Sequence, residues 1–186
     1  QKSRTGAQQA FHLDLSGGSQ PVYNENKNIC VVFNGEIFNY IELRELLLTK
    51  GHKFYTSSDT ETIVHAYEEY GRRFVDHLNG QFAIALWDKN RRELILARDR
   101  VGILPLFYSI LTDGTILFSS EMKGILSSKL IEPEIDPDGI NQIFSVWVNI
   151  PPKTVFKNIN ELAPGKMLSI SEAGVKESRY WHFEYP

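Results

Sequence analysis

Apolar positions along the chain follow two periods, and the change between them marks out the predicted elements. "NICVVF", Asn28 to Phe33, is β-branched and apolar and predicts a buried strand. "NYIELRELLLTKG" switches to helical spacing, with Ile41, Leu43, Leu46 and Leu47 as the stripe and Gly51 as the stop. "KFYTS" reads as a short strand. "SDTETIVHAYEEYG" predicts a second helix, where Ser58 and Glu61 have capping-box spacing and Gly71 ends the run. "RRFVDHLNG" predicts a short helical piece. Four strand-like runs follow, "QFAIALWD", "RELILARD", "LPLFYSIL" and "GTILFSS", with "DKNRR" and "TDG" as hairpin turns. "SEMKGILSS" predicts a short helix, and "DPDGINQIFSVW" another, capped by Asp136 with Pro137 at its first position. The tail is rich in turns, and Lys166 to Ile170 with "RYWHF" predicts a last hairpin. Hairpin strands with two good helices between strands argue for an α+β layered fold with antiparallel sheet.

Composition adds limits. The chain has 186 residues, 42% apolar and 23% charged, which suits one globular domain or one domain plus the start of another. A net charge of -3 without a Lys/Arg patch gives no footprint for nucleic acid. The longest apolar runs are too short to span a bilayer, and the polar N-terminus "QKSRTGAQQA" has no signal-peptide core, so no membrane partner is expected. Cys30, the single cysteine, excludes an internal disulfide, and a reducing, cytoplasmic location is the expectation.

Candidate chemistry is sparse, and most of it has a plainer reading. "DLSGGSQP" could cradle phosphate through backbone N–H groups, but it lacks the lysine of a P-loop and reads better as a glycine turn. Cys30 lies mid-strand and reads as packed and inert. None of the five histidines has metal-ligand spacing; His65, near Glu61 and Glu68, reads as part of a solvated helix face, and no metal is expected. In "LARDRVG" the arginines around Asp99 read as an ion pair that fixes a turn, ahead of an anion site. Asn34-Gly35-Glu36 differs. A side-chain amide next to an unobstructed backbone N–H could form an oxyanion hole, and the carboxylates of Glu36 and Asp59 could hold a substrate ammonium group; the alternative is a strand-end turn.

"VVFNGEIFNYIELRELL", "GHKFYTSSDTETIVHAYEEYG", "FVDHLNGQFAIALWD", "LARDRVGILPLFY" and "SSEMKGIL", in that order, resemble the N-terminal glutaminase domain of glutamine-hydrolysing asparagine synthetases, a class II glutamine amidotransferase domain. The tail "PPKTVFKNINELAPGKMLSI" resembles the family's lead-in to a synthetase domain. The resemblance implies an N-terminal-nucleophile hydrolase fold, a four-layer αββα sandwich with two antiparallel sheets. It implies a glutaminase domain over residues 1–170 with its nucleophile-bearing segment missing, and a lead-in over 171–186 to an absent synthetase domain. It also implies a mechanism. The thiolate of an N-terminal cysteine attacks the glutamine side-chain amide, with its own α-amine, of ordinary pKa about 8, as the base. Water then releases glutamate, and ammonia passes to the second domain for amidation of aspartate. No cofactor is implied for the glutaminase domain; ATP and magnesium belong to the synthetase domain. The implied partners are L-glutamine, the C-terminal synthetase domain and, as an option, a second copy in a homodimer.

By the same resemblance, Asn34 and Gly35 form the oxyanion hole, Glu36 and Asp59 grip the substrate ammonium, and Gln9, Ala10 and His12 line the pocket. Two positions depart from the family. The chain begins at Gln1, not at the cysteine, and Cys30 cannot replace a nucleophile that needs a free amine on the same residue. Gln9 stands where the family has an arginine that pairs with the substrate carboxylate; glutamine donates a hydrogen bond but no charged bidentate fork. The alternatives are a non-catalytic pseudo-glutaminase that scaffolds a related ATP-dependent amide ligase, a nucleotide-binding module using "LSGGSQP", and an acceptor domain for a different substrate, such as a sugar phosphate.

Overall fold

The computed structural model describes residues 20–184, so Gln9, Ala10, His12 and most of the "DLSGGSQP" stretch lie outside the described residues. In chain order the elements are β1 (Val22–Tyr23), β2 (Ile29–Ile37), α1 (Tyr40–Thr49), α2 (Asp59–Tyr70), a 3-10 helix (Gly71–His77), β3 (Gly80–Asp88), β4 (Glu93–Arg98), β5 (Phe107–Ile110), β6 (Ile116–Ser119), α3 (Met122–Ser127), α4 (Pro137–Val146), β7 (Asn160–Glu161), β8 (Lys166–Ser171) and β9 (Gly174–Arg179). The described residues fall into two compact units, 20–104 with 164–184, and Pro105–Ala163.

Among the described residues, the first unit is built on a six-stranded sheet in the order β1-β2-β3-β4-β8-β9, with every neighbouring pair antiparallel. The β2–β3 register sets Val31 opposite Leu86 and Phe33 opposite Ile84, and β4 continues the same rows with Ile95 and Ala97. These residues share a core with Leu43 and Leu47 of α1, Ile63, Val64 and Tyr67 of α2, and Phe74 of the 3-10 helix. Full burial of one such side chain stabilises the fold by about 1.5–3 kcal/mol, so the period-2 rows determine which sheet face takes the helices.

Several local expectations change here. β2 does not stop at Phe33; it continues through Asn34-Gly35-Glu36 to Ile37 because β3 pairs with it along its full length. The α1 stripe narrows to Leu43 and Leu47, and Ile41 and Leu46 stay exposed. Ser58 does cap α2, accepting from the Thr60 N–H at 3.2 Å, but the reciprocal half of a capping box is absent. Glu61 turns instead to the backbone N–H groups of Tyr55 and Thr56, at 2.8 and 2.7 Å. That carboxylate holds "KFYTS" as an irregular segment where a strand was expected. The final hairpin forms between β8 and "GVKESR", with its turn at Glu172-Ala173, and not with "RYWHF".

The second unit has a three-stranded antiparallel sheet, β6-β5-β7, and a small core of Leu117, Ile125, Ile131 and Ile159. α4 starts as expected: Asp136 accepts from the Asp138 N–H at 2.9 Å, with Pro137 in the first turn. Gly139 is required inside it, because a Cβ would lie 2.0 Å from the Thr154 carbonyl oxygen. The helix ends at Trp147 in a left-handed conformation. Phe144 and Trp147 are 83% and 88% exposed, and Val146, Val148 and Ile150 extend the same apolar surface. No helix among the described residues is long and apolar enough to cross a membrane.

Candidate active site

The last four residues of β2 form the framework of the site. Asn34, Gly35 and Glu36 are exposed although they remain in the ladder, paired with Ala83, Phe82 and Gln81. Asn34 and Glu36 are two residues apart and share one face of the strand by register. Neither side chain hydrogen-bonds to another described residue. Gly35 adopts φ +146°, and a Cβ there would lie 2.1 Å from the Gln81 carbonyl oxygen and 2.9 Å from Phe82 Cα. Gly80 makes the converse approach, with its Cβ position 2.3 Å from the Glu36 carbonyl oxygen. Two glycines on opposite strands, two rungs apart, let the backbones meet closely, and the conformation at Gly35 is one that glycine alone adopts readily.

Asp59 joins the same strand end. As the first residue of α2 it places Oδ2 3.0 Å from the Ile37 N–H, while Ser58 Oγ lies 3.4 Å from its Oδ1. Glu36 and Asp59 are thus both anchored within one residue of Ile37, one by the chain and one by a hydrogen bond. Such a pair suits a positively charged group.

Three further residues hold this geometry, and the sequence reading missed them as part of it. Gln20 clamps Phe33, donating from Nε2 to its carbonyl and accepting its N–H through Oε1, both at 2.7 Å. Its side-chain amide continues the ladder where β1 stops, and no sequence pattern marks that role. Asp99 is fully buried and its carboxylate accepts the N–H groups of Phe82, Val101, Gly102, Ile103 and Leu104 at 2.7–3.3 Å. The turn in "LARDRVG" is therefore fixed by a carboxylate gathering backbone amides, where an Arg–Asp ion pair was expected. Because Phe82 is the rung partner of Gly35, Asp99 also steadies the strand behind the site. Tyr180 donates to the Arg98 carbonyl at 2.5 Å, and burial, then the negative charge of Asp99, pushes its phenol well above the ordinary range.

Two other candidates resolve differently. Cys30 is half-buried within β2 opposite Trp87, and burial pushes its thiol up, which suits an inert thiol. His65 is not on a solvated face: it is 0% exposed, lies against the Phe54 ring at 4.5 Å, and has Nδ1 2.8 Å from Glu68 Oε2. Burial works against its charge, but Glu68 and the carboxylates of Glu25 and Glu61 outweigh it and hold its pKa above the ordinary value.

The family described as "Glutamine amidotransferase domain" matches residues 4–181. Among curated relatives, the glutamine-hydrolyzing asparagine synthetase 3 of Bacillus subtilis (strain 168) is 40% identical over 175 residues, which is 92% of this chain and 28% of that protein. The glutamine-hydrolyzing asparagine synthetase 2 of Oryza sativa subsp. japonica is 50% identical over 113 residues, 61% of this chain and 19% of that protein. The chain thus spans less than a third of the length of these relatives. Among solved structures, the glutamine phosphoribosylpyrophosphate amidotransferase of B. subtilis, complexed with ADP and GMP, gives a TM-score of 0.59 at 24% identity, covering 87% of this chain and 31% of that one. A structure described as the allosteric regulatory enzyme of purine biosynthesis gives 0.62 at 23% identity, with 87% and 31% covered. At these identities the likeness is one of fold, and the shared architecture is an α+β fold with antiparallel sheets. The family match takes in the Asn34-Gly35-Glu36 rung, Asp59 and both units, and the chain belongs to the glutamine amidotransferase domain family.

Proposed function

We propose that this chain is the glutaminase domain of an asparagine synthetase, hydrolysing L-glutamine to glutamate and ammonia for ATP-dependent amidation of aspartate. The observation that carries the reading is the exposed Asn34-Gly35-Glu36 segment, kept in register by β3 and met at Ile37 by Asp59. The Asn34 amide and the Gly35 N–H supply two donors to the oxyanion that develops when a thiolate adds to the glutamine side-chain amide. Donors fixed before the reaction need no reorganisation during it, and one of them is worth about 10²- to 10³-fold in rate. Glu36 and Asp59 bind the substrate α-ammonium, which orients the amide toward that pair. Gln9, Ala10 and His12, outside the described residues, are assigned to substrate binding in this reading by the family resemblance alone.

The nucleophile in this reading is an N-terminal cysteine whose own α-amine removes the thiol proton. Cys30 cannot play that part, because its backbone N is an amide inside β2. The glutaminase domain then includes β9 and Tyr180, and the chain beyond them leads toward a C-terminal synthetase domain that takes ATP and magnesium and accepts the ammonia. The exposed apolar surface around Trp147 supports a chain that works against further protein, either that domain or a second copy. The compartment is the cytoplasm.

The test uses the full-length protein that carries this domain, supplied with glutamine, aspartate, ATP and magnesium. Glutamate release coupled to asparagine formation is expected. Asn34→Ala should lose glutamine-driven synthesis and keep synthesis driven by added ammonia. Absence of any glutamate release from the unmodified protein would sink the glutaminase role. Glutamate release without asparagine would sink the choice of acceptor.

A further inference from the structure

One partly buried cluster outside the site has the arrangement of a ligand set. His65 Nδ1 lies 2.8 Å from Glu68 Oε2, and His52, from the segment between α1 and α2, places its Nδ1 3.6 Å from the same oxygen. One ligand atom from each of the three lies within 4.8 Å of the other two. The outward atoms are arranged as well. His52 Nε2 faces Glu69 Oε2 at 3.4 Å, His65 Nε2 faces Glu61 Oε1 at 3.6 Å, and Glu68 Oε1 accepts from Asn24 Nδ2 at 2.7 Å. A carboxylate lies behind the far nitrogen of each histidine, within hydrogen-bond distance for His52 and just beyond it for His65, and an N–H on each far nitrogen leaves the near one as a lone-pair donor. His65 Nε2 is buried and lacks a hydrogen-bond partner at normal length, so the ring has a polar atom that its present contacts leave unsatisfied.

We propose that His52, His65 and Glu68 form a binding site for a zinc-type divalent cation, held by the two histidine Nδ1 atoms and Glu68 Oε2. Tetrahedral coordination with bonds of about 2.0–2.2 Å puts neighbouring ligand atoms about 3.3–3.6 Å apart. The His52–Glu68 distance of 3.6 Å already matches. The His65–Glu68 distance of 2.8 Å is that of a shared proton, and it opens by about half an ångström when a cation takes the proton's place. The ring N–H then resides on Nε2 and points at Glu61. The His52 and Glu68 side chains keep 15% and 20% exposure, which leaves an open side for a fourth, water ligand. Two imidazoles with one carboxylate favour a zinc-class ion over calcium or magnesium, which take oxygen ligands. The ion ties the segment before α2 to the helix that begins with Asp59, and it does so independently of glutamine hydrolysis.

The experiment titrates the tag-free, chelator-stripped protein with cobalt(II) and then zinc(II), following visible absorbance and thermal unfolding. Cobalt bands at one equivalent per chain, displaced by zinc, with zinc raising Tm, are expected. His52→Ala, at a partly exposed position, and Glu68→Gln should each abolish the bands and weaken zinc by more than about 10-fold, while Glu69→Gln keeps all three ligands and weakens it less. Both ligand variants are checked for folding by circular dichroism, and either folded variant suffices. A spectrum without cobalt bands would mean a hydrogen-bonded histidine pair only. Bands and zinc affinity unchanged in a folded ligand variant would place the metal elsewhere. Either result overturns the site.

Discussion

Asn34 and Gly35 are adjacent on one strand, yet substitutions at them should fail in different ways. The Asn34 side chain donates to no described residue, so Asn34→Ala should leave urea unfolding within about 0.5 kcal/mol of the parent. Glutamate release by the full-length protein should still fall about 10²- to 10³-fold. Gly35→Ala sets a Cβ against the Gln81 carbonyl at 2.1 Å in a backbone conformation that alanine resists. It should cost more than about 2 kcal/mol and remove glutaminase activity along with the strand geometry. Asp59→Asn keeps an oxygen to accept the Ile37 N–H but loses the charge. KM for glutamine should rise with little change in kcat, the pattern of a group that binds ground and transition states alike. At this scale the gathering of Asn34, Gly35, Glu36 and Asp59 at one strand end was legible because an amide, a glycine and two carboxylates stand out at the junction of a strand and a helix start. Gln20 carries its role only through the strand it happens to reach, and a lone glutamine before a proline announces nothing. His65 misled for the same reason, since helical spacing to Glu61 and Glu68 is the same on a wet face and a dry one.

For single elements, the loop after β4 depends on Asp99. Asp99→Ala strips acceptors from five backbone N–H groups, Phe82, Val101, Gly102, Ile103 and Leu104, and should cost about 3–5 kcal/mol in urea unfolding. Tyr180, which donates to Arg98 in the same region, adds a pH dependence. Its folded pKa lies above the unfolded value of about 10, so its contribution is complete below that pH and is lost as pH rises. Stability of the parent should therefore fall between about pH 10 and 12 more steeply than that of Tyr180→Phe; equal slopes would assign the loss to other groups. Most elements were readable because their period is long enough to see: α2 with its Ser58 cap, α4 with Asp136 and Pro137, and the hairpin strands. The two-residue strands β1 and β7 are too short for any period. "GVKESR" outcompeted "RYWHF" for β8 through a tight turn and full register, at the expense of apolar content.

For the molecule as a whole, apolar surface remains on the unit containing α4. Trp147 is 88% exposed beside Phe144, Val148 and Ile150. The isolated chain should bind a hydrophobic dye such as ANS. The double variant Phe144→Ser, Trp147→Ser should bind markedly less, with no loss of thermal stability, because these side chains support no core. Undiminished dye binding would locate the apolar surface elsewhere.

The outer strands of the six-stranded sheet carry a different lesson. Among the described residues, β1 offers only two residues of ladder at its edge, and the Gln20 amide already occupies the Phe33 backbone groups beyond it. β9, on the far side, lines its exposed length with Lys176, Glu177 and Arg179. Another chain that tried to add a strand would find one edge nearly gone and the other studded with charges it must desolvate. Growth of the sheet into cross-β aggregates is thereby discouraged at both ends, even while the protein carries a sticky helix elsewhere. Its unwanted self-association should accordingly stay loose and reversible, driven by side chains and not templated by backbone.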